Sequence, residues 1–363
     1  MLCEEDYKLK KAVENRYLYV VKCIACLFVI LIHAKFPGLF GDGAEAIARF
    51  GVPMFFAISG RYLLKADDRS AADIRKRVIP KLKRLCIITL VMTLIYTAYS
   101  FLYAYFIGFS VSELFFYKYN PHELTTMLVF NSGQMIHDYT YTFDHLWFLF
   151  ALIYVYVLII IFARFLYKWK RGLIIILLGF LFFGELLQTY YPIRPFNINI
   201  CTWYVLRNWL FVGIPFTLIG IESNDDIYHR TSSGVVGNIC IILGVIFTFA
   251  EFIMWGTKEV YFGSFLIVIG CLLAANHYEP PRKYATSKFG SILVFIGKEL
   301  SGNIYYFHVM VISLVDHFIY VFNDNIVFLW FKPVIFTFIT ILLALLIYEI
   351  VYLYSNRVKV QNR

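Results

Sequence analysis

Long apolar segments recur from one end of this chain to the other, and they constrain its fold more than any other feature. A helix of about 20 apolar residues is long enough to cross the hydrocarbon core of a bilayer. Only 16% of the residues are charged, whereas a soluble domain carries about 25%. The sequence therefore predicts an all-α, polytopic integral membrane protein with about ten transmembrane helices. The ten apolar segments are 17–36, 47–64, 84–108, 146–167, 172–190, 203–222, 234–255, 260–276, 299–321 and 326–354.

The distribution of Lys and Arg predicts the orientation of these segments. With the N-terminus on the inside, the inside segments carry 24 Lys and Arg residues and the outside loops carry five. Cytoplasmic loops of membrane proteins are enriched in these residues, so both termini are predicted to be cytoplasmic. The same enrichment explains the net charge of +9 without a nucleic-acid partner. No polar stretch is long enough for a separate soluble domain, and residues 1–363 are predicted to form a single membrane domain.

Two ionisable residues lie within the first apolar segment, "YVVKCIACLFVILIHAKF". Ionisable groups in the membrane are costly and indicate a functional site. Eleven residues separate Lys22 from His33, so on a helix the two side chains lie within about 20° of one face and about 16 Å apart along the axis. A cation near the cytoplasmic end of the helix suits an anionic ligand that comes from the cytoplasm. An imidazole deep in the membrane suits proton transfer. The alternative is that Lys22 snorkels to the interface and that His33 is a structural residue at the helix end.

The second segment, "VPMFFAISGRYLL", offers Ser59 as a hydrogen-bond donor and Gly60 as a point where another backbone can approach closely. The segment is short and contains Pro53, which favours a broken or re-entrant helix. A basic stretch follows, "DIRKRVIPKLKRLCII", whose cations can clamp phosphates. The alternative is ordinary positive-inside charge. The residues predicted to clamp phosphates are Arg75, Lys76, Arg77, Lys81 and Arg84.

Two later stretches add weaker candidates. "DHLWFLFALIYVY" is predicted to hold Asp144 and His145 at the outer mouth and Trp147 at the membrane interface. The outer loop 109–145 before it is rich in Tyr and Phe, and it suits either an aromatic belt at the interface or stacking on sugar rings. "GKELSGNIYYFHVMV" is predicted to bring Glu299 and His308 into the ninth span.

Several classes of protein are disfavoured by the motifs that the sequence lacks. The pair Cys23 and Cys26 lies within an apolar segment, and no second pair or nearby His completes a zinc or redox site, so no metal site is expected. The sequence contains no P-loop, no H-E-x-x-H and no outside G-x-S-x-G, which argues against an ATP-driven pump, a zinc protease and a serine hydrolase.

Taken in order, five motifs resemble those of the acyltransferase-3 family of integral membrane acyltransferases. They are Lys22-x10-His33, "FFAISGRYLL", Lys81-x-x-Arg84, "HLWFL" and "GNIYYFH", and they extend from about residue 16 to residue 310. The family's basic pair is commonly Arg-x-x-Arg, and this chain has Lys at the first position. The family often has an aromatic residue after Ser-Gly, where this chain has Arg61, expected to be an extra cation at the cytoplasmic mouth.

The resemblance implies transfer of an acyl group from cytoplasmic acyl-CoA to a hydroxyl of a carbohydrate or cell-wall glycan. His33 is then the general base, with a covalent acyl-histidine relay as the variant. Acetyl-CoA is the expected co-substrate, with no permanently bound cofactor. The expected acyl-CoA-binding residues are Lys22, Ser59, Arg75, Arg77, Lys81 and Arg84, and the expected acceptor-binding residues are Asp144, His145 and Trp147.

The expected location is the plasma membrane of a bacterium, in contact with membrane lipid, and a homodimer is compatible with this interpretation.

Two other functions stay open. A transporter or flippase for a polysaccharide or lipid-linked sugar shares the spans and the intramembrane charges, but it predicts no release of thiol from acyl-CoA. The chain is alternatively the membrane sensor or uptake part of a larger enzyme system.

Overall fold

A computed structural model describes residues 15–64, 70–135, 144–186, 206–225, 233–277, 287–319, 322 and 325–361. Within these ranges the chain is helical and forms no strand. The described residues form fourteen α-helices, numbered here in chain order. They are α1 Arg16–His33, α2 Gly38–Ala48, α3 Gly51–Leu63, α4 Ala71–Phe106, α5 Val111–Lys118, α6 Pro121–Phe130, α7 Trp147–Ile161, α8 Ala163–Glu185, α9 Ile214–Glu222, α10 Ser233–Trp255, α11 Phe262–His277, α12 Lys288–Phe295, α13 Ser301–Ile319 and α14 Ile326–Gln361.

Each predicted apolar segment overlaps at least one described helix, but the prediction of about ten spans is not confirmed. Four of the described helices are long and apolar enough to cross a membrane, and a fifth span is obtained if α7 and α8, which meet at a bend of 116°, are counted as one. The difference arises because some apolar helices are short. Helix α3 has 13 residues and is about 20 Å long, less than the hydrocarbon thickness of about 30 Å.

The start of the first helix is fixed by Asn15. Its side-chain oxygen accepts a hydrogen bond from the backbone N–H of Leu18 at 3.0 Å, which caps the helix. Its side-chain nitrogen donates to the carbonyl of Ala275 at 2.9 Å. One buried residue therefore begins α1 and ties it to the end of α11.

Helices α3 and α9 cross with their backbones in contact. A Cβ on Gly60 would lie 2.0 Å from the carbonyl oxygen of Thr217, and one on Gly220 would lie 1.9 Å from that of Ala57. The close approach predicted for Gly60 is confirmed. Pro53 lies in the first turn of α3, where a helix tolerates proline, so α3 itself is continuous; a re-entrant path for this segment stays a prediction.

Arg61 belongs to the same buried layer. The sequence predicted a cation at the cytoplasmic mouth, but the side chain is only 4% exposed. Its guanidinium donates to Asn276 at 2.5 Å and to Ser223 at 3.2 Å. It joins α3 to the ends of α9 and α11, so its role in the described structure is to hold three helices together.

The α10–α11 hairpin also uses a buried charge. Glu251 on α10 accepts hydrogen bonds from the backbone N–H groups of Phe262 and Gly263, at 3.2 and 3.0 Å, and pairs with Lys258 at 3.2 Å. Carboxylates are stabilised at helix N-termini, where N–H groups lack partners. Glu251 thus caps α11.

Candidate functional site

Three histidines from distant parts of the chain meet at one end of the helical bundle. The ring centroid of His308 lies 5.3 Å from that of His33 and 4.9 Å from that of His145. The sequence treated these residues as a base, an acceptor contact and an unassigned polar residue. The structure brings their rings together in one cluster, defined here as the histidine cluster.

Each histidine is presented by a different element. His33 is the last residue of α1, His145 lies in the 3-10 turn Asp144–Leu146 that precedes α7, and His308 lies in the middle of α13. Helix α13 can approach α1 because Gly297, just before it, packs against the backbone of Tyr19, where a Cβ would lie 1.8 Å from the carbonyl oxygen.

Two tyrosine hydroxyls brace the cluster. Tyr305 donates to the carbonyl oxygen of His145 at 2.5 Å, and Tyr96 on α4 donates to the carbonyl oxygen of Tyr306 at 2.6 Å. Tyr96 is fully buried. These bonds connect α4, α13 and the 3-10 turn, and they fix the backbone that carries two of the three imidazoles.

A cavity of about 40 Å³ adjoins the cluster and is lined by His33, His145 and Tyr305. This volume holds a few water molecules. Two arginines, Arg49 and Arg207, form its polar wall. The cavity therefore combines imidazoles on one side with guanidinium groups on the other.

The arginines share one carboxylate. Glu259 pairs with Arg49 at 2.7 Å and with Arg207 at 3.1 Å, and Arg49 also pairs with Glu45 at 2.5 Å. The guanidinium of Arg207 lies 5.3 Å from the ring centroid of Trp147, a cation–π distance. This arrangement positions two cations and an aromatic ring beside His33.

Of these groups, His33, His145, Arg49, Arg207 and Glu259 lie at or beside helix ends that the charge distribution predicts to be outside. Ser223 and Asn276, which Arg61 joins, lie at helix ends predicted to be inside. The ion pairs of Lys170 with Glu222 and Asp225, at 2.7 and 2.8 Å, also lie at ends predicted to be inside. Helix ends that are predicted to lie on the same side of the membrane thus contact one another, which is consistent with the predicted topology.

The predicted acyl-CoA residues Lys22 and Ser59 are partly buried. Lys22 lies near Glu299, and Ser59 lies near the Tyr156 hydroxyl. Lys22 is thus below the histidine cluster on the same helix, as the spacing predicts, and it faces the segment that leads into α13.

The four residues of α4 that were predicted to bind acyl-CoA separate into two groups. Arg75 donates to the carbonyl of Ile160 at 2.9 Å, and Lys81 donates to the carbonyls of Tyr62 and Leu63. Cations at helix C-termini satisfy the last carbonyls, so these two cap α7 and α3.

Arg77 is partly buried and Arg84 is exposed on the same helix. Arg84 interacts electrostatically with Tyr306 on α13. Arg84, a residue of the predicted phosphate clamp, therefore lies near α13, the helix that carries His308.

The predicted acceptor residues lie deeper than the sequence suggested. His145 and Trp147 are each 4% exposed, so His145 is a member of the histidine cluster and not a group at the outer mouth. Trp147 packs against Phe56 at a centroid distance of 6.1 Å. The backbone of Asp144 begins the 3-10 turn, and its side chain lies outside what the structure describes.

Sequence reasoning missed the polar wall. Arg49, Arg207 and Glu259 were not among the predicted site residues, and their only signal in the sequence was the occurrence of single charged residues near span ends. Their partners lie on other helices, so spacing along the chain carries no information about the pairing.

Among the described residues, no group of three or more His, Cys, Asp or Glu side chains is arranged to hold a metal ion. Within the same ranges Cys23 and Cys26 are buried thiols, and Cys26 contacts the carbonyl oxygen of Ser301 at 3.5 Å.

The helical bundle and the histidine cluster define a membrane protein with a candidate acid–base site near one surface. The model of the acyltransferase-3 family, described as an acyltransferase domain, matches residues 15–349, nearly the whole chain. The chain therefore belongs to the acyltransferase-3 family, and it is an acyltransferase of the membrane. No curated protein and no solved structure matches it.

Proposed function

We propose that this protein moves an acyl group, acetyl in the first instance, from cytoplasmic acyl-CoA to a hydroxyl of an extracytoplasmic or lipid-linked carbohydrate. The observation that carries the proposal is the position of His33. Its ring borders a cavity at the end of the bundle predicted to be outside, while the basic stretch that suits a nucleotide head lies on α4 at the opposite end.

The proposed donor path follows α1, α4 and α13. Coenzyme A has an anionic head and a long thin arm, and Arg77 and Arg84 are the cations offered to the head. Lys22 lies along the way to His33. Arg75 and Lys81 contribute positive charge near the same helix, but their hydrogen bonds to helix ends limit their freedom to move toward a ligand.

In the proposed reaction His33 takes the proton of the acceptor hydroxyl as its oxygen attacks the thioester carbonyl. The carbon–oxygen bond of the new ester forms, the carbon–sulfur bond breaks, and the proton passes to the thiolate of coenzyme A. Atoms and charge balance without a metal or a redox step. The cavity of about 40 Å³ must widen to admit the thioester and the acceptor together.

The proposed acceptor site is the polar wall. Arg49 and Arg207 have hydrogen-bond donors suited to sugar hydroxyls and to anionic groups. Trp147 presents an aromatic ring beside Arg207. A carbohydrate that enters from outside would thus meet donors on one side and His33 on the other.

The test is acyl-CoA turnover by the purified protein, measured as thiol release and as transfer of a radiolabelled acyl group. We expect His33→Ala to lower turnover by about 10²- to 10⁴-fold, the usual contribution of a general base. His317→Ala removes an exposed histidine of α13 and serves as the control. Equal turnover in wild type and His33→Ala would overturn the assigned base, and absence of thiol release from the wild type would favour the flippase.

A further inference from the structure

A groove opens between α8 and α11, away from the histidine cluster, and is defined here as the α8–α11 groove. Its volume is about 300 Å³, about ten times the 30 Å³ that one water molecule occupies in the liquid. Ile174 and Ile175 of α8 form one wall, and Ile269 and Leu273 of α11 form the other. Buried Ile219 of α9 also lines it. The groove is therefore an apolar space shared by three helices.

Aromatic rings close the groove at the end predicted to be outside. The ring of Phe182 on α8 lies 5.5 Å from that of Phe262 and 6.4 Å from that of Phe265, both on α11. From Phe265 to Leu273, α11 extends the wall over about 12 Å. This length is less than half of the hydrocarbon thickness of about 30 Å. The groove is too short to seat another spanning helix, but it is long enough for part of a lipid acyl chain.

The surface of α8 beside the groove is apolar and exposed. Ile175, Ile176 and Phe180 are 72, 55 and 62% exposed. In a helix that belongs to a membrane protein, such side chains face the lipid. Lipid chains therefore have direct access to the groove from the bilayer.

The end of the groove that is predicted to be inside carries charged groups. Arg171 and Glu222 line it and pair at 2.5 Å, and Lys170 pairs with Glu222 and Asp225 at 2.7 and 2.8 Å. Two cations thus meet two carboxylates at this end. The side chain of Arg171 nevertheless stays 63% exposed, so its guanidinium is accessible to a headgroup.

Further cations continue from this end along α8. Arg164 and Lys168 are exposed, and neither pairs with a carboxylate among the residues that the structure describes. Arg164 lies seven residues before Arg171, within about 20° of the same helix face. Helix α8 also begins with no acidic residue in its first turn and no side-chain cap, so its first N–H groups add to the positive potential. The inner part of α8 therefore carries an excess of positive charge.

Trp169 indicates the depth of these cations in the membrane. Its side chain is 53% exposed, and the ammonium of Lys168 lies 5.5 Å from its ring centroid. Exposed tryptophans are enriched at the membrane–water interface. The cations of α8 thus lie at the level of the lipid headgroups, next to the polar end of the groove.

We propose that the α8–α11 groove binds one anionic phospholipid of the leaflet predicted to be inside. One acyl chain lies between α8 and α11, and the phosphate binds at the cations of α8, namely Arg164, Lys168 and Arg171. Basic pockets between spanning helices on the cytoplasmic side are known to take anionic headgroups. The site is distinct from the histidine cluster and does not depend on acyl transfer.

The first test compares two lipids with the same acyl chains. Delipidated protein in detergent is titrated with phosphatidylglycerol or phosphatidylcholine, and bound lipid is counted by native mass spectrometry. We expect one phosphatidylglycerol to bind at least about 10-fold more tightly than phosphatidylcholine, with a preference that decreases as the salt concentration rises. Equal affinities for the two lipids would overturn the proposal.

The second test removes the cations that no described carboxylate pairs with. The double variant Arg164→Gln, Lys168→Gln is expected to raise the Kd for phosphatidylglycerol by roughly 10- to 30-fold, because each cation near the headgroups contributes about 1 kcal/mol. The matched control is Lys83→Gln, Lys288→Gln, which removes two exposed cations from other segments predicted to be inside. Equal losses in the two double variants would show diffuse attraction to the protein's charge and would refute a site on α8.

The third test fills the groove. Ile269→Trp places a larger side chain in its wall and is expected to weaken the binding of both lipids, whereas Ile253→Trp, at a residue of α10 that is 79% exposed, is expected to leave binding unchanged. A ligand that binds only the folded protein raises its Tm, so phosphatidylglycerol should raise the Tm of the wild type and of Ile253→Trp more than that of Ile269→Trp.

Equal lipid binding by the two tryptophan variants would contradict the placement of the acyl chain in the groove. If Ile269→Trp does not fold, the lipid preference of the wild type and the two charge variants still decide.

Discussion

Substitution of Gly60 by alanine is expected to force α3 and α9 apart. The new Cβ would lie 2.0 Å from the carbonyl oxygen of Thr217, and Cβ atoms do not approach closer than 3.0 Å. The backbones must therefore separate by about 1 Å, and the reciprocal contact at Gly220 leaves no room on the other side. Overpacking of this kind costs about 1–3 kcal/mol.

Alanine also has a higher helix propensity than glycine, by about 1 kcal/mol, so a matched control is needed. Gly179 lies within α8, and a Cβ there meets nothing within 4 Å. Gly179→Ala therefore measures the propensity alone. At about 2 °C per kcal/mol for a large domain, we expect the Tm of Gly60→Ala to lie about 2–6 °C below that of Gly179→Ala.

The assay is thermal unfolding of both variants in the same detergent, followed by tryptophan fluorescence. Helix α3 also contributes Val52 and Pro53 to the cavity beside His33, so its displacement should lower acyl-CoA turnover as well. Equal Tm values for the two variants would refute the argument that backbone contact at Gly60 fixes the crossing.

Lys81→Met is expected to lower the Tm, because it removes the donor to the last carbonyls of α3. Arg84→Met is instead expected to weaken the binding of radiolabelled acyl-CoA, and to weaken it more at low salt than at high salt. Equal effects of the two variants on both measurements would contradict this separation of roles. In a cysteine-free background, a membrane-impermeant maleimide added to intact cells is expected to label Asp42→Cys, and Ser287→Cys only after lysis. The opposite pattern would reverse the predicted topology.

The fold was predictable where a short stretch of sequence determines the local structure. Apolar segments gave the approximate bounds of the helices, and Gly60 indicated a close crossing, because hydrophobic length and the absence of a side chain are properties of a few neighbouring residues. The number of spans was less predictable, since the 13-residue helix α3 is as apolar as a spanning segment but shorter than the hydrocarbon core.

The candidate site was predictable only in part. The spacing of Lys22 and His33 indicated one face of α1. It gave no means of knowing that Arg75 and Lys81 donate to the ends of α7 and α3, or that His145 is buried against His308. Such contacts depend on the rotation and tilt of whole helices, which many weak packing interactions determine together.

By itself, the sequence determined a helical membrane protein whose first helix carries a cation near its cytoplasmic end and an imidazole near its other end, both on one face. Helical periodicity fixes the face on which each residue lies. Only the tertiary structure decided which groups surround that imidazole. His308 reaches His33 from α13, His145 lines the same cavity from the 3-10 turn before α7, and Glu259 brings Arg49 and Arg207 to that cavity. The physical reason is that charge and hydrogen-bond partners are selected across the bundle, where distance along the chain is irrelevant.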